Sequence, residues 1–232
     1  MHCNIDFPSG SKVVSAIPHG ASFWTRTARV TVKLANGSAQ LFFLKIGKDD
    51  FSRDMLRSEY EGVNALYRIV PELVPRPIAW GAYMSKPDTF FFLADFIPML
   101  EELPDPETFC TMLARLHRDS IPLSPNGKFG FHVTTYSGTM PQDVTWCDTW
   151  EESYARALRS FAEQESKAQG LSEEMEQLYP KLFDQVTLRL LRPLSAEGRA
   201  IKPVLVHGDL WYWNMAINAE TGAPVTFDPA VI

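Results

Sequence analysis

Val204-Leu205-Val206-His207-Gly208-Asp209-Leu210-Trp211-Tyr212-Trp213-Asn214 decides how this chain is read. An apolar triplet delivers a polar loop, and the triplet reads as a short buried strand. Asp209 and Asn214 stand five residues apart. That is the spacing of a phosphoryl-transfer loop, in which the Asp accepts the proton of the acceptor hydroxyl and the Asn holds a metal ion. His207 is placed to brace the loop by hydrogen bonding, and Gly208 lets the backbone turn closely. Downstream, Asp228 ends the apolar run Val225-Thr226-Phe227, where such a site carries its principal Mg²⁺ ligand.

Upstream, the residues from Arg29 to Leu34 alternate, with Val30, Val32 and Leu34 on one face, and Ala35-Asn36-Gly37-Ser38 supplies a hairpin turn. The partner strand Leu41-Phe42-Phe43-Leu44-Lys45-Ile46 is apolar on both faces apart from Lys45, so its ammonium is carried into a buried setting and needs an acid. A helix is expected from about Ser52 to Arg68, and Glu59 falls on its apolar stripe with Met55, Val63 and Leu66. Pairing Lys45 with Glu59 answers both desolvation demands. Taken singly, Lys45 can snorkel and Glu59 can sit at the helix boundary. Pro18-His19-Gly20-Ala21-Ser22 forms a turn after Val13 to Ile17. It stands where a phosphate-covering loop belongs, with Gly20 and Ser22 as nucleotide-binding candidates, although it lacks GxGxxG.

Val74-Pro75-Arg76-Pro77-Ile78 is expected to be extended, because prolines exclude helix before themselves. It leads through Trp80-Gly81 to an apolar strand from Phe90 to Phe96, which Pro98 ends. The residues from Ile97 to Pro104 read as a connector from which backbone groups could grip an adenine edge. A helix follows, with Asp105 as N-cap, Pro106 at its first position and Phe109, Met112, Leu113 and Leu116 on one face. His117 fits a C-terminal position there better than a ligand's. Residues 119 to 147 are loop-rich, with Phe129, Phe131 and Tyr136. Two amphipathic helices are expected next, from Trp146 or Trp150 to about Lys167 and from Ser172 to about Leu191, the second kinked or split at Pro180. Arg189, Arg192, Arg199 and Lys202 make a loosely basic approach to the loop.

The whole chain bounds these readings. Its 232 residues, 45% hydrophobic, suffice for one large domain or two small lobes sharing a cleft. A formal charge of -6 and a pI near 5.4 argue against bulk nucleic-acid or anionic-membrane binding and favour a small neutral or cationic partner. Cys3, Cys110 and Cys147 are odd in number and widely spaced, which suggests neither a disulfide framework nor a CxxC metal site. The apolar run from Phe90 to Leu100 is interrupted by Asp95 and Pro98. A soluble, cytoplasmic protein is expected, with the boundary between its parts near the connector: 1–97 as a nucleotide-binding portion and 98–232 as a catalytic and substrate portion.

Phosphoryl transfer from ATP needs a cation on the phosphates, metal ions bridging them and a base on the acceptor hydroxyl. Lys45 would touch the phosphates with Glu59 holding it; Asp209 would be the base; Asn214 and Asp228 would hold Mg²⁺. Each item alone is weak, but residue type, chain order and structural context agree across the set.

His207-Gly208-Asp209-Leu210-Trp211, Asn214 and Phe227-Asp228-Pro229-Ala230, with Phe43-Leu44-Lys45-Ile46, Glu59, Val74-Pro75-Arg76-Pro77 and Phe129-Gly130-Phe131, resemble the fructosamine kinase (ketosamine 3-kinase) family. The resemblance spans most of the chain. It implies an α+β, two-lobed protein-kinase-like fold with a β-rich N-terminal lobe and a mainly helical C-terminal lobe. It also implies ATP-dependent phosphorylation of the 3-hydroxyl of ketosamines, the sugar adducts of protein amines, which then decompose and free the amine. On this resemblance Asp209 is the base, Trp211 lines the sugar site, and Asp95 and Ile97 lie where a hinge contacts adenine.

Two departures from the family pattern stand out. Trp213 replaces the Gly usual just before the Asn, so a bulky ring is expected to crowd the loop. The chain also stops at Ile232, four residues past Asp228, whereas family members continue with further helices, so an incomplete C-terminal lobe with exposed apolar surface is expected. Two other readings stay open: a kinase for another hydroxylated amine, such as an aminoglycoside or choline, and an inactive nucleotide-binding, pseudokinase-like protein.

Overall fold

The structure is a computed structural model of the chain and describes residues 9–20, 22, 24–170 and 172–232. Two compact units divide the chain: Met1–Leu116 with His207–Ala230, and His117–Val206 with Val231–Ile232.

The first unit is built on a five-stranded antiparallel sheet of β1 (Lys12–Pro18), β2 (Arg26–Lys33), β3 (Ala39–Lys48), β4 (Pro77–Tyr83) and β5 (Lys86–Asp95), in the order β1-β2-β3-β5-β4. The expected hairpin turn forms: the Leu34 amide donates to the Ser38 carbonyl at 2.8 Å, and the Asn36 carboxamide oxygen accepts the Ser38 amide at 3.0 Å. Gly37 there has φ 87°, a conformation L side chains rarely adopt.

Register sorts the side chains. Thr27, Lys45, Phe92 and Trp80 are successive cross-strand partners, so they share one face. Val30, Val32, Phe42, Phe91, Leu93 and Ala79 pack together on the other as a buried apolar cluster. Helix α1 (Asp49–Tyr67) covers the Lys45 face: the Tyr60 ring meets Phe92 edge-on at 6.3 Å, and the Arg57 guanidinium lies 5.8 Å from the Trp80 ring centre. Leu56, Val63 and Leu66 supply its buried contacts. The helix starts three residues earlier than its apolar period suggests. Asp49, at φ 85°, turns the chain directly off β3, and its carboxylate accepts the Ser52 amide at 2.8 Å. A Cβ on Gly47 would come within 2.5 Å of Ser52 Cβ, so glycine permits this tight departure.

The segment after Val74 is more than an extended leader. From Pro77 it forms β4, at the sheet edge, where a proline at the first position forfeits no interior ladder bond. The connector likewise contains a short strand, β6 (Met99–Leu100), which pairs with β9 (Met215–Asn218); β9 in turn pairs with β10 (Pro224–Thr226). Helix α2 (Pro106–Ser120) starts as expected, with the Asp105 carboxylate accepting the Thr108 amide at 2.8 Å.

The second unit is mainly helical. A two-stranded hairpin, β7 (Tyr136–Ser137) with β8 (Met140–Pro141), precedes α3 (Trp150–Gln169), which the Thr149 hydroxyl caps by accepting the Glu152 amide at 3.1 Å. Ser172 caps α4 (Glu173–Lys181) in the same way. Pro180 lies within α4, and the break falls just beyond it as a π turn, Leu182–Val186, before α5 (Thr187–Leu191). Leu178, Val186, Leu190 and Leu194 are exposed in this unit.

Val204-Leu205-Val206 does not form the expected strand. The Leu205 amide donates to the Ser120 hydroxyl at 2.9 Å and the Val206 amide to the Ile232 carbonyl at 3.3 Å. The backbone donors are thus met singly and no ladder is built. Among the described residues no helix is long and apolar enough to cross a membrane.

Candidate active site

The first unit assembles an ion cluster from three distant stretches. Lys45 Nζ lies 2.8 Å from Glu59 Oε1 and 2.6 Å from Asp228 Oδ1. Lys45 and Glu59 are buried, whereas the Asp228 side chain is half-exposed. β3 presents the lysine toward α1, and Glu59 meets it from the helix stripe, as the sequence pattern anticipates. Burial pushes the Glu59 carboxyl up, to about 7, against the pull of the Lys45 ammonium. Burial also works against the charge on Lys45, but the two carboxylates outweigh it and hold the ammonium protonated above its ordinary range.

Asp228 arrives by a route the sequence does not announce. Buried Thr226 donates its amide at 2.7 Å and its hydroxyl at 3.3 Å to the Leu73 carbonyl, fastening β10 to the chain just beyond α1. Asp228 follows with φ 54°, in the left-handed region that non-glycine residues rarely occupy.

The loop ahead of it is tied to the same framework. The Asn214 carboxamide donates to both the Asp209 carbonyl and Asp209 Oδ2, each at 2.9 Å, and the Phe227 amide donates to the Asn214 carbonyl at 3.2 Å. Asn214 is buried and the Asp209 side chain is exposed. Gly208, at φ 82°, packs so tightly that any Cβ would overlap the Ala230 carbonyl.

His207 links to the same segment through its backbone, its carbonyl accepting the Ala230 amide at 2.9 Å. The hydrogen bond expected of its ring is not formed: among the described residues neither ring nitrogen meets a partner at good geometry. Burial pushes its pKa down, outweighing the Phe227 backbone and the carboxylates of Asp209 and Asp228, which favours the neutral imidazole.

Gly20 and Ser22 lie in the turn between β1 and β2. The Ser22 hydroxyl accepts the Thr25 amide at 3.2 Å, and Thr27, directly across the ladder from Lys45, accepts the His19 amide at 3.2 Å. Asp95, at the end of β5, pairs with Phe42 and therefore points to the face opposite Lys45. Its carboxylate engages the Arg76 guanidinium at 2.9 and 3.3 Å. Its backbone amide is taken as well, donating to the Arg76 carbonyl at 2.9 Å. The proline-flanked Arg76 is adjacent in sequence to β4, but no pattern in the chain identifies Asp95 as its partner.

Trp213 does not crowd the loop. The residue is 62% exposed and its ring packs on Tyr212 with centroids 5.1 Å apart, while Trp211 is 48% exposed. Buried Asn214 keeps both bonds to Asp209, because the turn Tyr212–Asn214 sends the preceding rings outward.

Among the described residues there is no cluster of three His, Cys, Asp or Glu side chains arranged for a metal. The available donors are the Asp228 carboxylate and the Asn214 amide oxygen, the group left over once Asn214 has donated to Asp209. A small oxygen-donor set suits Mg²⁺, which keeps waters and substrate phosphates in its shell and seldom sits in an all-protein cage.

Comparison with known proteins gives a consistent answer. The chain is 33% identical to the ketosamine-3-kinase of Mus musculus, over 98% of this chain and 73% of that protein. It is 30% identical to the chloroplastic protein-ribulosamine 3-kinase of Oryza sativa subsp. indica, over 76% of this chain and 48% of that one. A solved structure from Haemophilus somnus 129PT, provisionally named a fructosamine-3-kinase, superposes with a TM-score of 0.70 at 19% identity, covering 95% of this chain and 67% of its own. That likeness establishes an α+β, protein-kinase-like fold. The chain spans about half the length of the rice relative. The family profile described as fructosamine kinase matches residues 25–232, and the chain belongs to that family.

Proposed function

We propose that the protein transfers the γ-phosphoryl group of ATP to the 3-hydroxyl of ketosamines, ribulosamine or fructosamine adducts of amines, and so initiates deglycation. The observation that carries this reading is the convergence of Lys45, Glu59 and Asp228, contiguous through Phe227 and Asn214 with the exposed Asp209 carboxylate. The names of the mouse and rice relatives support the acceptor class.

Asp209 acts as general base. Asn214 engages its Oδ2, which leaves Oδ1 to receive the proton from the acceptor hydroxyl while that oxygen attacks phosphorus. Lys45 exchanges the Asp228 carboxylate for phosphate oxygens and stays anchored by Glu59. Asp228 and Asn214 would hold Mg²⁺, which when bound neutralises charge on the phosphates. Gly20 and Ser22 cover the phosphates, the backbone at Asp95 and Ile97 receives adenine, and Trp211 faces the sugar. His207 and Gly208 support the loop.

The test is a panel of acceptors with ATP and Mg²⁺: a small ribulosamine, a fructosamine, choline and an aminoglycoside, with phosphate transfer read by ³¹P spectroscopy. Turnover confined to the ketosamines is the expected result. Turnover confined to choline or the aminoglycoside would replace the acceptor, and nucleotide binding without any transfer would leave a binding protein.

A further inference from the structure

Three consecutive aromatic residues follow the proposed base and are left open to solvent. Trp211, Tyr212 and Trp213 are 48, 58 and 62% exposed, and their ring centroids lie 5.1 to 6.3 Å apart, so they form one continuous surface. The turn that carries them is fixed: the Asn214 amide donates to the Trp211 carbonyl at 2.9 Å, and Asn214 is itself buried and bonded twice to Asp209. Three large rings held in water on a rigid turn are a costly arrangement for a soluble surface and mark a place where something binds.

Charge says what kind of ligand. The basic approach to the loop ends at Lys202, and from Pro203 to Ile232, the stretch that carries the rings, the chain has no Lys or Arg and holds Asp209, Glu220 and Asp228. The nearby ammonium of Lys45 is committed to Glu59 and Asp228. Electron-rich indole faces in an anionic setting complement a cation on a hydrocarbon stem. A ketosamine is such a molecule at neutral pH, because its sugar is joined to a protonated secondary amine that continues into an alkyl arm.

We propose that Tyr212 and Trp213 extend the Trp211 surface from the sugar to the amine side of the acceptor, taking up its ammonium and alkyl arm, with Trp213 setting selectivity for cationic acceptors. This rests on the ketosamine reading of the site. The rings do no chemistry; they position the acceptor by cation–π and apolar contact.

The test compares two acceptors in the full chain: the ribulosamine of Nα-acetyl-lysine, and its neutral counterpart acetylated on the linking nitrogen. Trp213→Ala raises KM for the cationic acceptor by about 3- to 30-fold with kcat within about twofold, raises KM for the neutral acceptor by a distinctly smaller factor because only apolar contact is lost there, and Trp213→Phe restores most of the affinity. An equal effect on both acceptors, or none, overturns the proposal. A second measurement is independent of turnover: the indole N–H resonances of Trp211 and Trp213, assigned through their Phe variants, are followed during titration with n-butylammonium chloride and with n-butanol. Shifts with the cation that exceed those with the alcohol uphold the surface even if no ketosamine is phosphorylated, in which case the ketosamine reading fails on its own, and equal shifts with both overturn its selectivity for cations. Absence of those shifts overturns the surface even if turnover is observed.

Discussion

Lys45 and Asp228, 183 residues apart in the chain, share a hydrogen-bonded ion pair of 2.6 Å. The lysine at the same time holds Glu59 at 2.8 Å, so one buried ammonium joins the central sheet, the helix that covers it and the segment following the Asp209–Asn214 loop. The residues proposed to meet phosphate and metal are thereby gathered before either arrives, and in the proposed function the Lys45–Asp228 contact is the one exchanged for phosphate.

Glu59 makes stability depend on pH. Its carboxyl is raised from the usual 4.5 to about 7 by burial, so between those values the folded state holds a proton that the unfolded state has released. The Glu59 contribution is therefore fully present below about pH 4.5 and declines as pH rises to 7. Urea unfolding of the wild type and Glu59→Gln at pH 5 and pH 7.5 should show the wild-type advantage shrinking by roughly 1 to 3 kcal/mol across that interval. An advantage that grows with pH would refute the assignment.

Asp209→Asn should lower kcat by about 10² to 10⁴-fold with little change in KM for ATP, since a general base is lost and the nucleotide contacts are not. Steady-state kinetics with a ribulosamine acceptor reads this directly. Undiminished kcat would exclude Asp209 as the base.

Gly208→Ala places a methyl group on the Ala230 carbonyl and forces alanine to φ 82°. The loop must shift to admit it, and the expected outcome is loss of phosphate transfer together with a lowered Tm. Comparison with Gly222→Ala separates the causes, because Gly222 has φ 72° and nothing within 4 Å of an added Cβ, so it carries backbone strain alone.

Asp95→Asn should change KM for ATP by less than about threefold, because the carboxylate is turned to Arg76 and a half-exposed pair of this kind contributes about 1 kcal/mol or less. A tenfold rise in KM would mean that the side chain, not the backbone, meets the nucleotide.

Local chemistry was legible in the chain. The Asn36-Gly37 turn, the Asp105-Pro106 helix start, Lys45 on an apolar strand and Glu59 on an apolar helix stripe depend on neighbours a few residues away, and each stands where the pattern placed it. Val204-Leu205-Val206 shows the limit of that logic: an apolar triplet suits a strand, yet whether it pairs depends on what else is near, and here a hydroxyl and a distant carbonyl take its amides.

The chain alone carried the Asp209-x4-Asn214 spacing, the strand lysine, the helix glutamate and the family resemblance, because residue type and local pattern need no tertiary contact to be read. Three further features came only with the folded chain: Asp228 closes on Lys45 through Thr226 and Leu73, Asp95 turns to Arg76, and Trp213 faces solvent. The first rests on a backbone carbonyl left unpaired at Leu73, the second on the sheet register that turns Asp95 away from Lys45, and the third on the turn Tyr212–Asn214, and all three are properties of the assembled fold.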